Sequence, residues 1–514
     1  MSRTLVLFAL AVLFVAGLAP VLLMFARLSP GDLATLLDGR TLALLGRTVL
    51  LGVGVVFIAV LVGVPFGFLT SRTDVPGSAI LRPLGVVPLV LPPLFLAMTF
   101  TSFLDVSGAA MTILVLGVGT FPIVALFAGR AWRRIDARRE EAAYLVGGLP
   151  AVLRMELPLV LPAVLCGACL AFVFAVNDFS VPDFVGFVGQ KFNVYADEIF
   201  ATWQIDRIDE REGRAVATSL PLVGLTLLSL LPALALRRKG ALATVGSDFQ
   251  RPAPLALGRW RLPAFLFCLT VVAATTAAPL GRLAWEAGGG AQGFSLATMQ
   301  RAFATTLDQS RDQLGASILY AVAAATICVP VALVLGHAAE RARYGRFLEW
   351  IAILPIAVPA ILFGIGNIVL WNHPLTSSFF RGGGLVVLMF VGRFLAYPFL
   401  VSSGAVASLD RELEEAGELA GAGPIARLGR IVAPSLWPSL VGGWTLVFVL
   451  AMRELDATIL VSAANGTAMF RIFNQVHFGR DDFVAALALL IVFVAVLPGL
   501  LWTLFGGRKL EVLP

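Results

Sequence analysis

The stretch from Thr48 to Thr70 reads TVLLGVGVVFIAVLVGVPFGFLT, without one charged residue. A helix needs about 20 apolar residues to cross roughly 30 Å of hydrocarbon at 1.5 Å per residue, and this run has that length. Similar blocks recur along the whole chain. Apolar runs broken by charge and by Gly/Pro clusters place spans near 4–26, 48–70, 84–104, 109–131, 159–182, 216–236, 262–281, 314–336, 348–371, 383–407, 436–463 and 483–507. The expected fold is an all-α polytopic membrane protein of about 12 transmembrane helices.

Composition points the same way. Hydrophobic residues make up 59% of the 514 residues and charged residues 14%, against roughly 25% charged in ordinary soluble domains. A net charge of +6 does not imply a nucleic-acid partner, because the Arg residues sit in short loops between apolar blocks and form no single basic surface. The positive-inside rule accounts for them. Arg72, Arg82, the cluster from Arg130 to Arg154, Arg237-Arg238-Lys239, Arg341 to Arg346, Arg411 to Arg430 and Arg508-Lys509 then mark the cytoplasmic loops, with both termini inside. The first block, Leu5 to Phe25, runs too long for a signal-peptide core and lacks a small-x-small cleavage site, so it reads as a retained first helix. Cys166, Cys169, Cys268 and Cys328 all lie inside apolar blocks. No His or Lys stands beside the Cys166–Cys169 pair to lower a thiol pKa, and small-residue helix packing explains it better than redox chemistry.

The chain is duplicated. Pro88-x-x-x-Pro92 is matched by Pro355-x-x-x-Pro359, EEAAYLVGGLP from Glu140 to Pro150 by EEAGELAGAGP from Glu414 to Pro424, and Pro158-x-x-x-Pro162 by Pro434-x-x-x-Pro438. Asn177-Asp178-Phe179 then aligns with Arg453-Glu454-Leu455. These motifs keep one order at a nearly constant offset, so the halves are parallel repeats of six helices each. The first half is 1–240 with its loop near 132–158, the second is 262–514 with its loop near 410–434, and the polar, Pro-containing stretch 241–261 reads as a cytoplasmic linker.

The repeated loop is the most informative element. Glu141-Ala142-Ala143 with Gly147, and Glu415-Ala416-Gly417 with Gly421, each give a short amphipathic helix, a Gly break, a basic segment and a Pro that opens the next span. This resembles the Glu-Ala-Ala coupling loop of permease subunits in binding-protein-dependent ABC importers. The resemblance covers essentially the whole chain and implies a type I ABC importer permease fold in a bacterial inner membrane. It implies two copies of an ABC ATPase docked on these loops, and a periplasmic or extracellular solute-binding protein. The first loop is two residues shorter from Gly147 to Pro158 than the second from Gly421 to Pro434, and Gly417 stands where the motif usually has Ala. The chain itself is not an enzyme: its three Lys residues, Lys191, Lys239 and Lys509, are followed by Phe, Gly and Leu, so no Walker A loop is present. ATP and Mg belong to the partner ATPase, and this chain is expected to bind no cofactor.

Ionisable residues in or near spans are candidates for the substrate pathway, because burying them in lipid is costly. They are Asn177, Asp178 and Asp183 after the fifth span, and Arg453, Glu454 and Asp456 within the eleventh. Capping or bridging of helices is the structural alternative. His337, His373 and His477 read as interfacial. The segments VNDFSVPDFVG from Val176 and RELDATILVSAANGTAMFRIFN from Arg453 resemble those of fused two-half iron(III) permeases, whose relatives serve thiamine, putrescine, sulfate and phosphonates. Carboxylates suit a hard cation, whereas Arg453 suits an anion. An ion-coupled secondary transporter also uses repeats and intramembrane charge, but has no need of the duplicated loops.

Overall fold

The computed structural model describes residues 3–29, 31, 39–205, 211–241, 250, 252–461, 466–476 and 481–505. Among these the regular structure is helical, and the β-type pairing is one isolated bridge between Thr73 and Leu255. Among the described residues, eight helices are long and apolar enough to cross a membrane, and four bent helix pairs bring the total to as many as 12. Each of the 12 stretches expected from the sequence overlaps one of these helices or pairs.

The duplicated Pro motifs produce duplicated bends. Ser78–Val90 meets Pro93–Phe103 at 99°, and Gly345–Ala357 meets Ala360–Trp371 at 99°. The cause is local. A residue that precedes Pro is pushed out of the helical region by the ring, and Leu91 (ψ 128°) and Val358 (ψ 125°) are both extended in front of Pro92 and Pro359. The third motif does not repeat in this way. Pro424–Ser435 and Trp437–Met452 bend by 82°, whereas Pro158 and Pro162 sit inside the helix that ends at Asn177.

Several boundaries differ from expectation, the second helix starting at Gly39 and the eighth at Leu296, and two of the differences bear on the site. The fifth span ends at Asn177, and 180–188 is a separate short helix; the eleventh ends at Met452, before Arg453. In both places a carboxylate takes over the backbone that a continuing helix would have satisfied, as described below.

The compact units cut across the sequence repeats. One unit comprises Met1–Thr35, Ile199–Ser219 and Ala284–Pro514, and the other comprises Leu36–Glu198 and Leu220–Leu283. The opening span of each half therefore packs with the helices of the other half. In the first unit, Gly392 lies against the backbone of Ala16 and Gly17, so closely that a Cβ on Gly392 would fall 2.0 Å from the Ala16 carbonyl oxygen. In the second unit, Ala264, Cys268, Val271 and Val272 are buried with Ala59, Phe66 and Phe121, and the Thr276 hydroxyl donates to the Leu84 carbonyl at 2.9 Å. Backbone contact across small residues also joins Gly39–Arg72 to Gly108–Arg133, where Gly63 and Gly67 leave room for the main chain of Phe121 and Ala125. Such contacts are a main source of helix association in lipid, where apolar burial gives little. All four cysteines are free, and Gly167 between Cys166 and Cys169 packs closely on Val124.

Candidate functional site

Both repeated loops begin with the same cap. The Asp136 carboxylate accepts from the Arg138 backbone N–H at 2.9 Å, and the Asp410 carboxylate accepts from the Glu412 N–H at 3.0 Å. Asp is favoured here because the first N–H groups of a helix have no partner within it. The helix from Ala137 breaks at Gly147 and Gly148, where Gly148 takes φ +66°, and then runs on into the fifth span. The helix Arg411–Leu419 ends at Gly421, which takes φ +83°. These are positions that favour Gly, which has no Cβ to clash in the left-handed region.

The residues that the resemblance assigns to coupling are mostly at the surface. Glu141, Ala142, Gly147, Glu415, Ala416 and Gly421 are exposed, while Ala143 and Gly417 are partly covered. Glu415 meets Arg411 one turn away at 3.2 Å. The departure at Gly417 has a packing reason: a Cβ there would lie 2.4 Å from the Ile431 Cδ1. Beside the glutamates the loops expose Leu145 (87%) and Val146 (89%) in the first copy and Leu419 (90%) in the second.

The glutamate that precedes each motif does different work, and the sequence reading missed it. Glu140 forms an ion pair with Arg72 at the end of the second span, and Arg72 also approaches Glu156 at 3.5 Å. Arg72 and Glu156 are both buried. In the second copy Glu414 is the buried carboxylate. Its Oε1 accepts from Arg341 Nε at 3.1 Å and its Oε2 lies 2.6 Å from His337 Nε2. Arg341 then donates to the Leu409 carbonyl at 2.9 Å and to that of Val406 at 3.4 Å. Burial alone would push the Glu414 carboxyl up, but His337 and Arg341 outweigh it and hold the group below the ordinary glutamate range. These residues border a cleft of about 320 Å³ that Arg411 and Arg427 also line. His337 is thus a buried anchor of the loop and not an interfacial residue, because its ring supplies one of the bonds that keep a buried carboxylate charged. His373 accepts from the Leu375 N–H at 3.4 Å, and His477 lies outside the described residues.

The two polar sets beyond the fifth and eleventh spans also share one geometry. Asp178 Oδ1 accepts from the Val181 N–H at 2.9 Å and from the Ser180 hydroxyl at 3.3 Å, capping the helix 180–188. Glu454 Oε1 accepts from the Ala457 N–H at 2.9 Å. The carboxylates aligned by the repeat therefore each bond the N–H three residues on, and this bond replaces the helix that would otherwise continue. Asn177 donates to the Val173 carbonyl at 2.9 Å, Asp183 lies in the first turn of 180–188, and Arg453 and Asp456 flank Glu454 beyond the helix end. The other Glu454 oxygen lies 3.2 Å from Arg393 Nε. Arg393 was missed although the signal was available: it is a cation inside an expected apolar span. Asp197, on the helix Tyr195–Ile205, was also missed. Burial pushes its carboxyl up to about 7, against a bond from the Val194 N–H, and Asp183 and Asp178 add to the rise.

Residues 63–239 and 328–509 each match the family of binding-protein-dependent transport system inner membrane components, once per half. The chain belongs to that family. It is the multi-pass permease component of an ATP-driven importer and not an enzyme, and ATP hydrolysis falls to a separate ATPase subunit. The permease is 29% identical over 196 residues to the putrescine transport system permease protein PotI of Escherichia coli K12, covering 36% of this chain and 68% of the relative. It is 27% identical over 157 residues to the putative 2-aminoethylphosphonate transport system permease protein PhnV of Salmonella typhi, covering 30% of this chain and 58% of the relative. It is 32% identical over 165 residues to the sn-glycerol-3-phosphate transport system permease protein UgpA of Pectobacterium atrosepticum, covering 27% of this chain and 55% of the relative. The permease thus spans about two thirds of the first of these relatives and just over half of the others.

Proposed function

We propose that this one polypeptide forms the whole membrane pathway of its importer, and that each repeated loop docks on one copy of an ABC ATPase on the cytoplasmic side. A solute-binding protein delivers cargo to the opposite side. The observation that carries this reading is the twin loops. Each is capped by Asp, anchored by a glutamate tied to an Arg at a span end, and presents a second, exposed glutamate next to exposed apolar side chains. Exposed apolar side chains grouped outside the spans mark a surface that is covered by a partner. Glu141 and Glu415 supply the charged contact, and the anchors let a push on the loop reach the span.

The test is substitution of the exposed glutamates by a bulky cation. Glu415→Arg, and separately Glu141→Arg, leave membrane insertion intact and lower substrate-stimulated ATPase activity of the purified complex at least tenfold. A fully active complex with Glu415→Arg removes the assignment. Native mass measurement gives one copy of this chain with two ATPase copies, and two copies of this chain overturn the single-chain pathway.

Two cargo readings compete. Iron(III) is supported by the resemblance of the segments from Val176 and Arg453. A small organic cation, such as the diamine named for the Escherichia coli relative, is favoured by a local observation: Asp183 and Asp178 both act electrostatically on Asp197. Glu454, by contrast, is neutralised by Arg393. Among the described residues, no three His, Cys, Asp or Glu are grouped to hold a metal ion. Uptake into vesicles of labelled iron(III) and labelled putrescine by the reconstituted importer separates the two. Saturable iron uptake with no putrescine uptake sinks the organic-cation reading, and the converse sinks iron.

A further inference from the structure

The described part of the segment between the halves is bonded to the start of the first loop helix and to the turn after the second span. The Gln250 carbonyl accepts from the Ala137 N–H at 3.0 Å, at the first residue of the loop helix. Leu255 donates to the Arg72 carbonyl at 2.8 Å and its own carbonyl accepts from the Asp74 N–H at 3.2 Å. Leu257 N–H donates to Asp74 Oδ1 at 3.0 Å, and the Arg72 guanidinium donates to the Ala253 carbonyl. Arg261 closes the run against Asp74 at 3.7 Å. All these residues belong to one compact unit. A flexible tether would leave its backbone to water and make no such register of bonds.

The second loop is held differently. Arg341 takes its backbone acceptors from Val406, in the helix just before the second loop, and from Leu409 just past its end, and Glu414 gains His337. What Val406 and Leu409 supply to Arg341, Ala253 supplies to Arg72.

We propose that Gln250 and residues 252–257 form a strap that positions the first loop helix, so that the linker controls one of the two loops and not the other. Bonds from the strap reach both the helix start at Ala137 and the buried arginine that holds Glu140, so displacing the strap loosens the loop at its cap and at its anchor together. The consequence for transport rests on the coupling reading given above, whereas the positioning itself does not.

Leu255→Pro removes the donor that pairs with Arg72 while the chain stays whole, and Leu255→Ala keeps it. Hydrogen exchange on the purified full chain is expected to speed about tenfold at residues 137–146 in Leu255→Pro. Residues 411–419 should exchange as in the parent, and Leu255→Ala should leave both loops unchanged. Asp74→Ala removes the acceptor for Leu257 and gives the same one-sided change if Leu255→Pro fails to fold. An unchanged first loop in both variants, or equal loosening of both loops, overturns the strap. In the assembled importer, Ala142→Cys and Ala416→Cys report cross-linking to the ATPase. The strap variants lose the first cross-link several-fold and keep the second. If the parent cross-links at neither position while the exchange difference holds, the coupling reading falls and the strap stands.

Discussion

The first loop hangs on one fully buried arginine, Arg72, shared by Glu140, Glu156 and the linker, whereas the second hangs on the partly exposed Arg341, with His337 as a second support for Glu414. The duplicated element is the same, but its foundations are not. A repeat preserves what a loop must present, and leaves free how it is held down. Position 432, which corresponds to Glu156 at the offset of the neighbouring Pro motif, is Val, so the second copy has no buried second carboxylate to neutralise there.

That contrast makes the two arginines unequal. Arg72→Ala strands two carboxylates, one of them wholly buried, and is expected to cost about 3–5 kcal/mol. Loss of folded protein, or a large fall in thermal unfolding temperature in detergent, measures it. Arg341→Ala leaves Glu414 its bond to His337 and is expected to cost about 2 kcal/mol. Equal losses would mean that His337 gives no support and that the foundations are equivalent after all.

A second contrast lies between the capping carboxylates and Asp197. A carboxyl whose folded pKa is raised keeps its proton longer in the folded state than in the unfolded chain. It therefore contributes stability that is present below the ordinary Asp pKa and is lost as pH rises through the folded value. For Asp197 the window runs from about 4 to about 7. Thermal unfolding should thus fall across this range in the parent and be flatter in Asp197→Asn. An unchanged slope in the variant would place the titration elsewhere.

The smallest effect is expected at Gly417. Gly417→Ala restores the usual motif residue but presses on the end of Ile431, a flexible contact, and should change stability by about 1 kcal/mol or less. A gain with Ile431→Val added would show that the two positions share the space.

The spans were legible in the sequence because lipid demands long apolar runs, and the repeat was legible because Pro, Gly and Glu recur in one order. The 99° bends were half legible: Pro92 and Pro359 were noted, but the direction of a bend depends on the extended residue before each. Glu140 and Glu414 were hidden by their neighbours, since in a Glu-Glu pair nothing local says which side chain turns inward. The partners of Arg72 are spread from 140 to 253, and such pairing depends on packing and not on spacing. Arg393 and Asp197 were visible as charges but not as a buried pair and a buried acid, because their surroundings come from distant helices.

The exchange of opening spans also orders events in time. Arg3–Ala26 is made well before its packing partners, which include Pro355, Gly366 and Gly392. At the usual pace of about 5–20 residues per second, that helix waits in the bilayer for tens of seconds before its seat exists. The unit containing the first loop likewise closes only when the span from Gly258 to Ala287 has been made. Neither sequence half is then a self-sufficient folding unit, because each takes packing partners from the other.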